Sequence, residues 1–401
     1  MKRSFVLLLA VLFVAGGASA NEPITIGETV HIASKIMGEE RTILVSTPPG
    51  YERSTDRFPV LYVTDGDAHL THTRGTVDFL ARNGLIPQLI IVGVTNTDRT
   101  RDLTPTRAAI TEDDGTTREF PTSGGASTFL DFFERELFPF VDANYRTQPL
   151  RLFAGHSFGG LFALNALFTR PGMFSAVIAV SPSLQWDDDL AIRQAKDFFA
   201  DRNAFDVDLF VAMANEEEGD PRPNRLDGLE RVLEASGAKG FEWKVMRMPD
   251  ETHGSVVLRA HYWGLRDVFA AWPLPTDPET GAFAGTLDDL LEHYEGLSKR
   301  YGFTVAPGET SLNQFGYQLL GRGETDAAIE AFRYNVKSYP DSANVYDSLG
   351  EALENAGRDD EALAAYTKAV EKAVRIGDDR LATFTANRDR VRDRRTKPKS
   401  D

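Results

Sequence analysis

The chain of 401 residues contains no cysteine, and this absence removes several kinds of chemistry at once. It excludes disulfide bonds, thiolate metal sites, a cysteine nucleophile and lipid anchoring at a cysteine. Basic residues are also outnumbered, with 44 Lys and Arg against 60 Asp and Glu, which gives a formal net charge of −16. An acidic surface of this kind argues against nucleic acid and anionic lipid as partners.

Long apolar runs are missing after the first residues. A short one, residues 4–14, follows Lys2 and Arg3, and small residues at 18–20 precede Asn21. This pattern predicts a signal peptide over residues 1–20, because the apolar run is too short to span a bilayer comfortably. Cleavage removes two positive charges, so the net charge changes from −16 to −18. We expect an exported protein, periplasmic or secreted, with no membrane span.

Apolar runs typical of buried strands alternate with helical segments in residues 21–275. Residues 24–48 alternate apolar and polar positions around Gly38, which predicts an opening antiparallel hairpin. Helices are predicted at 129–145 and 159–169. Further strands are predicted at 60–64, 89–94, 150–154, 176–180, 208–213 and 242–246. Such strands, separated by helices, indicate an α/β domain with a mostly parallel sheet covered on both faces.

A different pattern follows the stretch 272–285, which is rich in Pro and Gly. Five positions recur 34 residues apart: Gly316 and Gly350, Leu319 and Leu353, Gly323 and Gly357, Ala328 and Ala362, Phe332 and Tyr366. This spacing is typical of tetratricopeptide repeats, which are paired helices. We predict a small all-α repeat region over 286–380, able to bind a protein partner, and a basic tail over 381–401. The Arg-rich end of the tail is interpreted as a solvated helix end.

The pentapeptide Gly155-His156-Ser157-Phe158-Gly159 joins the predicted strand 150–154 to the helix 159–169. A serine on a sharp strand-to-helix turn has an exposed hydroxyl, and the helix N-terminus favours developing negative charge. Ser157 is therefore the predicted nucleophile. An oxyanion hole needs two convergent backbone N–H groups. We assign them to Phe158 and to Asp67 in the loop after the strand 60–64, with Gly66 as the alternative.

A nucleophilic serine in this kind of sheet is followed along the chain by an acid and then by a histidine. His253 lies in the loop directly after the last predicted strand, where a general base can reach Ser157. By contrast, His261 has the neighbours of a packed residue, and His293 falls beyond the sheet.

The acid is expected in the acidic loop after the strand 208–213. A carboxylate in this loop would orient the imidazole of His253 and stabilise its protonated form. We assign this role to Glu216, the first acidic residue after the strand, with Glu217 as the runner-up.

Two further side chains are candidates for substrate binding. Arg101 lies at the edge where ligands of such sheets bind, although it could equally form a structural ion pair with Asp102. Trp186 could line the cleft or pack in the core. No cofactor or metal is expected, because the serine machinery already accounts for the polar residues that could be read as metal ligands: Asp65, Asp67, His69 and His72.

The residues resemble an esterase family of α/β-hydrolases that includes feruloyl, siderophore and S-formylglutathione esterases and mycolyltransferases. The segments that carry the resemblance are 59–66, 99–105, 155–160 and 251–256. The resemblance implies an α/β-hydrolase fold, an ester substrate, and Ser157 and His253 as catalytic residues. The acid is less similar, since Asn215 precedes Glu216 where members often have glycine. The second half resembles the subgroup with appended tetratricopeptide repeats.

The hypothesis that follows is an exported serine carboxylic-ester hydrolase acting on a small-molecule ester. The same residues would serve an acyltransferase in which a sugar or lipid alcohol replaces water. An interaction protein, with repeats that bind a partner and a hydrolase domain as scaffold, is the alternative from another class. The loop 106–127 is expected to border the cleft and to influence specificity.

Overall fold

The computed structural model describes residues 24–111, 116–216 and 224–396. The predicted signal peptide lies outside these ranges. No helix within them is long and apolar enough to cross a membrane.

Ten strands lie within the described ranges. They are β1 (Glu28–Ser34), β2 (Glu39–Ser46), β3 (Phe58–Thr64), β4 (Ile90–Val94), β5 (Ala109–Thr111), β6 (Thr117–Glu119), β7 (Thr147–His156), β8 (Ala176–Val180), β9 (Ala204–Ala214) and β10 (Lys239–Met248). The sheet order is β1-β2-β4-β3-β7-β8-β9-β10, and β5 and β6 form a separate hairpin. Strand β2 is antiparallel to both of its neighbours, whereas all other pairs in the large sheet are parallel. The predicted mostly parallel sheet is confirmed, and the predicted opening hairpin is β1–β2.

Helices cover both faces of this sheet. They are α1 (Gly66–Arg82), α2 (Arg99–Leu103), α3 (Ala126–Phe132), α4 (Phe138–Asn144), α5 (Phe158–Thr169), α6 (Leu190–Ala200), α7 (Arg225–Ser236) and α8 (Val256–Val268). One π-helical turn, Phe133–Leu137, joins α3 to α4, so the helix expected at 129–145 is interrupted.

Side chains of the central strands alternate between two apolar cores. On β3, Val60 and Tyr62 face the core beneath α3 to α7, whereas Leu61 and Val63 face the core beneath α1 and α8. This alternation follows from the period of two along a strand. Each fully buried side chain of this size contributes about 1.5–3 kcal/mol through removal of apolar surface from water. The two cores therefore hold the strand ends that carry the site.

The helical region that follows consists of α9 (Leu287–Tyr301), α10 (Glu309–Gly321), α11 (Thr325–Ser338), α12 (Ala343–Asn355), α13 (Asp359–Ile376) and α14 (Leu381–Thr396). A Cβ placed on Gly316 would lie 2.5 Å from the ring of Phe332, and one on Gly350 would lie 2.7 Å from the ring of Tyr366. The same glycine-to-ring contact therefore recurs 34 residues apart, once between α10 and α11 and once between α12 and α13. Their assignment as tetratricopeptide repeats stays a prediction.

Helix α14 occupies most of the segment predicted as a basic tail. Its Phe384 and Val391 are buried, and Arg390 and Arg394 form ion pairs with Glu354 of α12. These contacts attach α14 to the preceding helices, so Arg390 and Arg394 are paired within the helical region.

Helix α9 connects the helical region to the sheet. Its Leu297 and Tyr301 belong to the core beneath α1 and α8, whereas its Leu290 belongs to the core of the helical region. Arg300 forms an ion pair of 2.6 Å with Asp208, close to the start of β9. The attachment therefore lies at the amino ends of the parallel strands.

Candidate active site

Ser157 forms a strained turn between β7 and α5. Its φ of 61° and ψ of −116° are unusual for a residue with a side chain, and such strain recurs at functional sites. The surrounding structure holds the turn, because the Ser157 N–H donates to the Val180 carbonyl at 2.9 Å. The Leu161 N–H in turn donates to the Ser157 carbonyl at 3.0 Å. Ser157 thus lies half-buried at the carboxyl end of β7, on a turn of the predicted type.

Two glycines allow this turn to form. A Cβ on Gly155 would lie 2.1 Å from the Gly159 carbonyl oxygen, and one on Gly159 would lie 2.4 Å from Thr64 Oγ1. A side chain at either position would therefore distort the turn at residues 155–159, here called the elbow, or push it away from the end of β3. The spacing of the pentapeptide has a steric cause in this structure.

The predicted oxyanion donors both lie at helix N-termini. Phe158 is the first residue of α5, and Gly66 is the first residue of α1. The N–H groups of Ala68 and His69 each donate to the Asp65 carbonyl at 3.0 Å. The Gly66 and Asp67 N–H groups precede them, and the first amides of a helix have no acceptor within the helix. These amides are available for a developing oxyanion, and Asp67 as the donor stays a prediction.

Arg99 binds two segments of this part of the site, and no role was predicted for it. Its guanidinium donates to Asp65 at 2.6 and 3.1 Å and to the His156 carbonyl at 3.1 Å. The same group lies 5.5 Å from the centre of the Phe158 ring. Arg99 therefore links the loop after β3 to the elbow that carries the nucleophile.

The partners of Asp65 keep it ionised. Burial raises the pKa of this carboxyl. Hydrogen bonds and charge from Arg99 and a hydrogen bond from Asn96 lower it by more, so the net pKa lies below the usual range. Asp65 adopts a positive φ of 54° at the start of α1. An ionised Asp65 held by Arg99 thus fixes the backbone immediately before the predicted oxyanion donors.

Arg101 lies in an ion-pair network instead. It donates to Asp102 at 2.7 Å and to Glu39 at 2.6 Å, and Asp102 also accepts from Arg41 at 2.6 Å. This is the structural alternative that the sequence left open. Substrate contact by Arg101 stays an untested prediction.

The predicted acid and base are neighbours. His253 Nδ1 lies 2.9 Å from Glu216 Oε1, and 46% and 29% of the two side chains are exposed. Burial raises the pKa of Glu216, but hydrogen bonds from His253 and from the Ser181 hydroxyl outweigh it, so the net pKa is lowered. The ionised Glu216 favours the His253 tautomer with a proton on Nδ1, which leaves Nε2 for a substrate or nucleophile. The alternative acid, Glu217, lies outside the described residues.

The loops that carry this pair are tied together. The Asn215 N–H donates to the Glu251 carbonyl at 3.0 Å, which joins the loop after β9 to the loop after β10. Ser181, which follows β8, accepts from the Ala214 N–H at 3.2 Å. Ser181 was not predicted, although its place at the end of a strand next to β9 was visible in the sequence.

Trp186 is fully buried beneath Phe158. Its ring lies edge-on to Phe158 at 5.3 Å and to Phe120 at 5.2 Å, and its Nε1 donates to Thr106 Oγ1 at 3.1 Å. This is the packing role that the sequence left as an equal alternative to substrate contact. The contacts of Thr106 and Phe120 also place these two residues of the predicted loop 106–127 beside Trp186 and Phe158.

The remaining histidines near the sheet are not acid–base partners of Glu216. His261 is buried, as its neighbours predicted, and its Nδ1 lies 2.9 Å from Thr73 Oγ1. His293 lies on α9 in the helical region. Over residues 24–111, 116–216 and 224–396, no group of three or more His, Cys, Asp or Glu side chains has a geometry that could hold a metal ion.

Comparison with known proteins identifies a family that part of the chain resembles. Residues 34–222 match the profile of the family described as "Putative esterase". This segment, a little under half of the chain, is similar to that esterase family. The match includes Ser157 and Glu216 and ends before His253. It therefore confirms the resemblance found in the sequence without using His253, the predicted base.

Two curated relatives of this chain are named as siderophore esterases. The chain is 38% identical over 177 residues to the siderophore triacetylfusarinine C esterase of Aspergillus fumigatus, across 40% of this chain and 57% of that one. It is 32% identical over 165 residues to the ferri-bacillibactin esterase BesA of Bacillus subtilis, across 38% and 56%. The chain therefore spans somewhat more than half the length of these relatives.

A solved structure aligns with a larger part of the chain. The IroE-like serine hydrolase from Shewanella oneidensis aligns with a TM-score of 0.65 and 29% identity, over 75% of this chain and 96% of that chain. This agreement supports the α/β-hydrolase fold of the sheet.

Proposed function

We propose that this protein is an exported serine carboxylic-ester hydrolase that acts through Ser157, His253 and Glu216. The observation that carries the proposal is the 2.9 Å contact between His253 Nδ1 and Glu216 Oε1 at the same edge of the sheet as the strained Ser157 turn. A serine, an imidazole and a carboxylate in these positions form the arrangement used for acyl transfer.

The proposed reaction begins when Ser157 Oγ attacks the ester carbonyl carbon while His253 Nε2 takes the hydroxyl proton. Glu216 stabilises the imidazolium, and the Phe158 and Asp67 amides donate to the oxyanion. The tetrahedral intermediate formed by this attack then breaks the ester bond, and His253 protonates the departing alcohol. Water then attacks the acyl-enzyme carbonyl while His253 Nε2 takes a proton from it. The resulting intermediate breaks its bond to Ser157 Oγ, His253 returns the proton to that oxygen, and the carboxylic acid leaves.

The substrate is proposed to be a small-molecule ester. The two relatives are named as siderophore esterases, so siderophore esters are the first compounds to test, alongside aryl, short-acyl and feruloyl esters. Product analysis with a dilute competing alcohol separates hydrolysis from acyl transfer, because the acyl-enzyme of a transferase reacts mainly with the alcohol and that of a hydrolase mainly with water.

The decisive experiment labels the protein with a fluorophosphonate probe and measures turnover of short-chain nitrophenyl esters. We expect Ser157→Ala to abolish labelling and to lower kcat at least about 10³-fold. Ser236→Ala, at the far end of α7, is the matched control and is expected to behave as the wild type. Equal labelling and turnover in Ser157→Ala and the wild type would contradict the proposed function.

Export is part of the proposal and has its own test. N-terminal sequencing of protein from a secreting host should find Asn21 as the first residue, because the small residues at 18–20 precede it. A mature protein that begins at Met1 would contradict it.

The helical region is proposed to bind a protein partner. Its attachment through α9 at the amino ends of the strands leaves the loops around Ser157 uncovered by this contact. A truncation at Gly302, which keeps α9 and its buried Tyr301, should therefore retain ester hydrolysis.

A further inference from the structure

The proposed mechanism leaves unexplained what supports His253 on the side away from Glu216. His253 lies on the exposed loop between β10 and α8, and nearly half of its side chain is exposed. A base in that position needs support, because a displacement of about 1 Å can cost two orders of magnitude in rate.

The support comes from the residue before the nucleophile. The His156 ring centre lies 4.5 Å from that of His253, with an angle of 46° between the planes. The His253 backbone also lies close enough to the His156 ring to raise the pKa of His156 as a polar partner. One residue of the elbow thus contacts both the ring and the main chain of the base.

Three further histidines continue inward from His156. The His69 ring lies 5.8 Å from it, and His72 and His261 lie 5.2 and 6.2 Å from His69. The Thr73 hydroxyl donates to the His69 carbonyl at 2.7 Å, so its oxygen accepts from His261 Nδ1. This histidine cluster (His69, His72, His156 and His261) connects α1, β7 and α8, and therefore backs His156 with the core.

We propose that His156 is a positioning residue that holds His253 in reach of Ser157 through ring packing and a polar contact with the His253 backbone. The inference rests on the proposed function, because it assigns His156 a role in that reaction. It acts through His253 and needs no contact with the substrate.

The electrostatics of the surroundings suit this role. Burial and the neighbouring His253 and His69 lower the pKa of His156 to about 4, so its ring is neutral at neutral pH. A neutral ring adds no like-charge repulsion when His253 becomes an imidazolium during the reaction. The Nε2 atom of His156 is buried without a hydrogen-bond partner in the described structure, so Nδ1 is the atom available for the backbone contact.

The test compares three variants at a temperature below all their melting points. His156→Ala removes both contacts, and we expect kcat to fall about 10- to 100-fold while KM stays within about twofold. His156→Phe keeps a packed ring without the polar contact and should recover part of the lost kcat. His72→Phe makes the same ring exchange in the cluster without contact to His253, and its kcat should match the wild type.

The outcomes separate the two proposals. Wild-type protein that is not labelled at Ser157 would overturn the proposed function and this inference with it. Normal labelling of the wild type together with unchanged kcat in His156→Ala would overturn only the inference. An equal loss in His156→Phe and His72→Phe would also overturn it, because the loss would then follow from disturbing the cluster. If His156→Ala does not fold, the His156→Phe and His72→Phe pair decides.

Discussion

The two edges of the sheet carry different kinds of contact. At the carboxyl edge, loops present Ser157, Glu216 and His253, with a strained turn at Ser157 and partly exposed side chains. At the amino edge, α9 packs Leu297 and Tyr301 into a core, and the Tyr301 hydroxyl donates to the Val268 carbonyl at 3.2 Å. The candidate active site and the contacts that attach α9 therefore lie at opposite ends of the strands. We expect changes at one edge of the sheet to leave the other edge intact.

The largest effect is expected at the acid. Glu216→Gln keeps the shape of the side chain but removes the charge that orients and stabilises His253. We expect kcat to fall about 10²- to 10⁴-fold, with an unchanged melting temperature. Steady-state kinetics and calorimetry measure the two quantities. Asp250→Asn, an exposed carboxylate on the His253 loop, is the control. A rate for Glu216→Gln within twofold of the wild type would assign the acid elsewhere.

A smaller effect is expected for Arg99 beside the oxyanion donors. Arg99→Lys keeps a positive charge next to Asp65 but loses the two-point contact and the bond to the His156 carbonyl. We expect kcat to fall about 10-fold. The matched change, Arg101→Lys, leaves kcat within twofold if Arg101 is structural, and raises KM if it contacts substrate. A larger kcat loss in Arg101→Lys than in Arg99→Lys would contradict the assignment.

The helical region should tolerate damage without loss of activity. Gly350→Leu forces a side chain against the Tyr366 ring, where even a Cβ would lie 2.7 Å away. Overpacking of this kind costs about 1–3 kcal/mol. We expect a lower free energy of unfolding in urea and a kcat within twofold of the wild type. Gly321→Ala, at a helical position with open space, is the control. A parallel loss of kcat would show that the edges are coupled.

The smallest effect concerns the ion pair at the amino edge. Burial raises the pKa of Asp208 to about 6, although Arg300 lowers it. A carboxyl whose pKa is higher in the folded than in the unfolded protein favours the folded state while it is protonated. The stability that protonated Asp208 contributes is therefore lost as the pH rises from about 4 to 6. Relative to Asp208→Asn, the wild type should lose about 1–2 kcal/mol over this range. Urea unfolding at pH 4.5, 5.5 and 7 measures the difference, and a constant difference would contradict the raised pKa.

The sheet and the contact between Glu216 and His253 were predictable because each depends on where a strand ends. Apolar runs located the central strands, and Glu216 and His253 follow β9 and β10 within a few residues. Parallel neighbours bring their carboxyl ends together, so order along the chain was enough to pair these side chains.

The orienting residues were not predictable in this way. Arg99 and Arg101 lie two residues apart on the short α2, and their directions depend on the phase of this helix. Asp98 begins the helix by accepting from the Arg101 N–H at 3.0 Å, which turns Arg99 toward Asp65. The sequence favoured Arg101 because it contains no information about that phase. The contact of His156 with His253 likewise depends on tertiary structure.

The position of α9 has a consequence for how the molecule can be held. A partner bound to the helical region would hold the molecule from the side of α9, where Arg300 pairs with Asp208 and Tyr301 donates to Val268. Because these contacts lie at the amino edge of the sheet, we expect such a partner to leave Ser157, at the opposite edge, open to solutes.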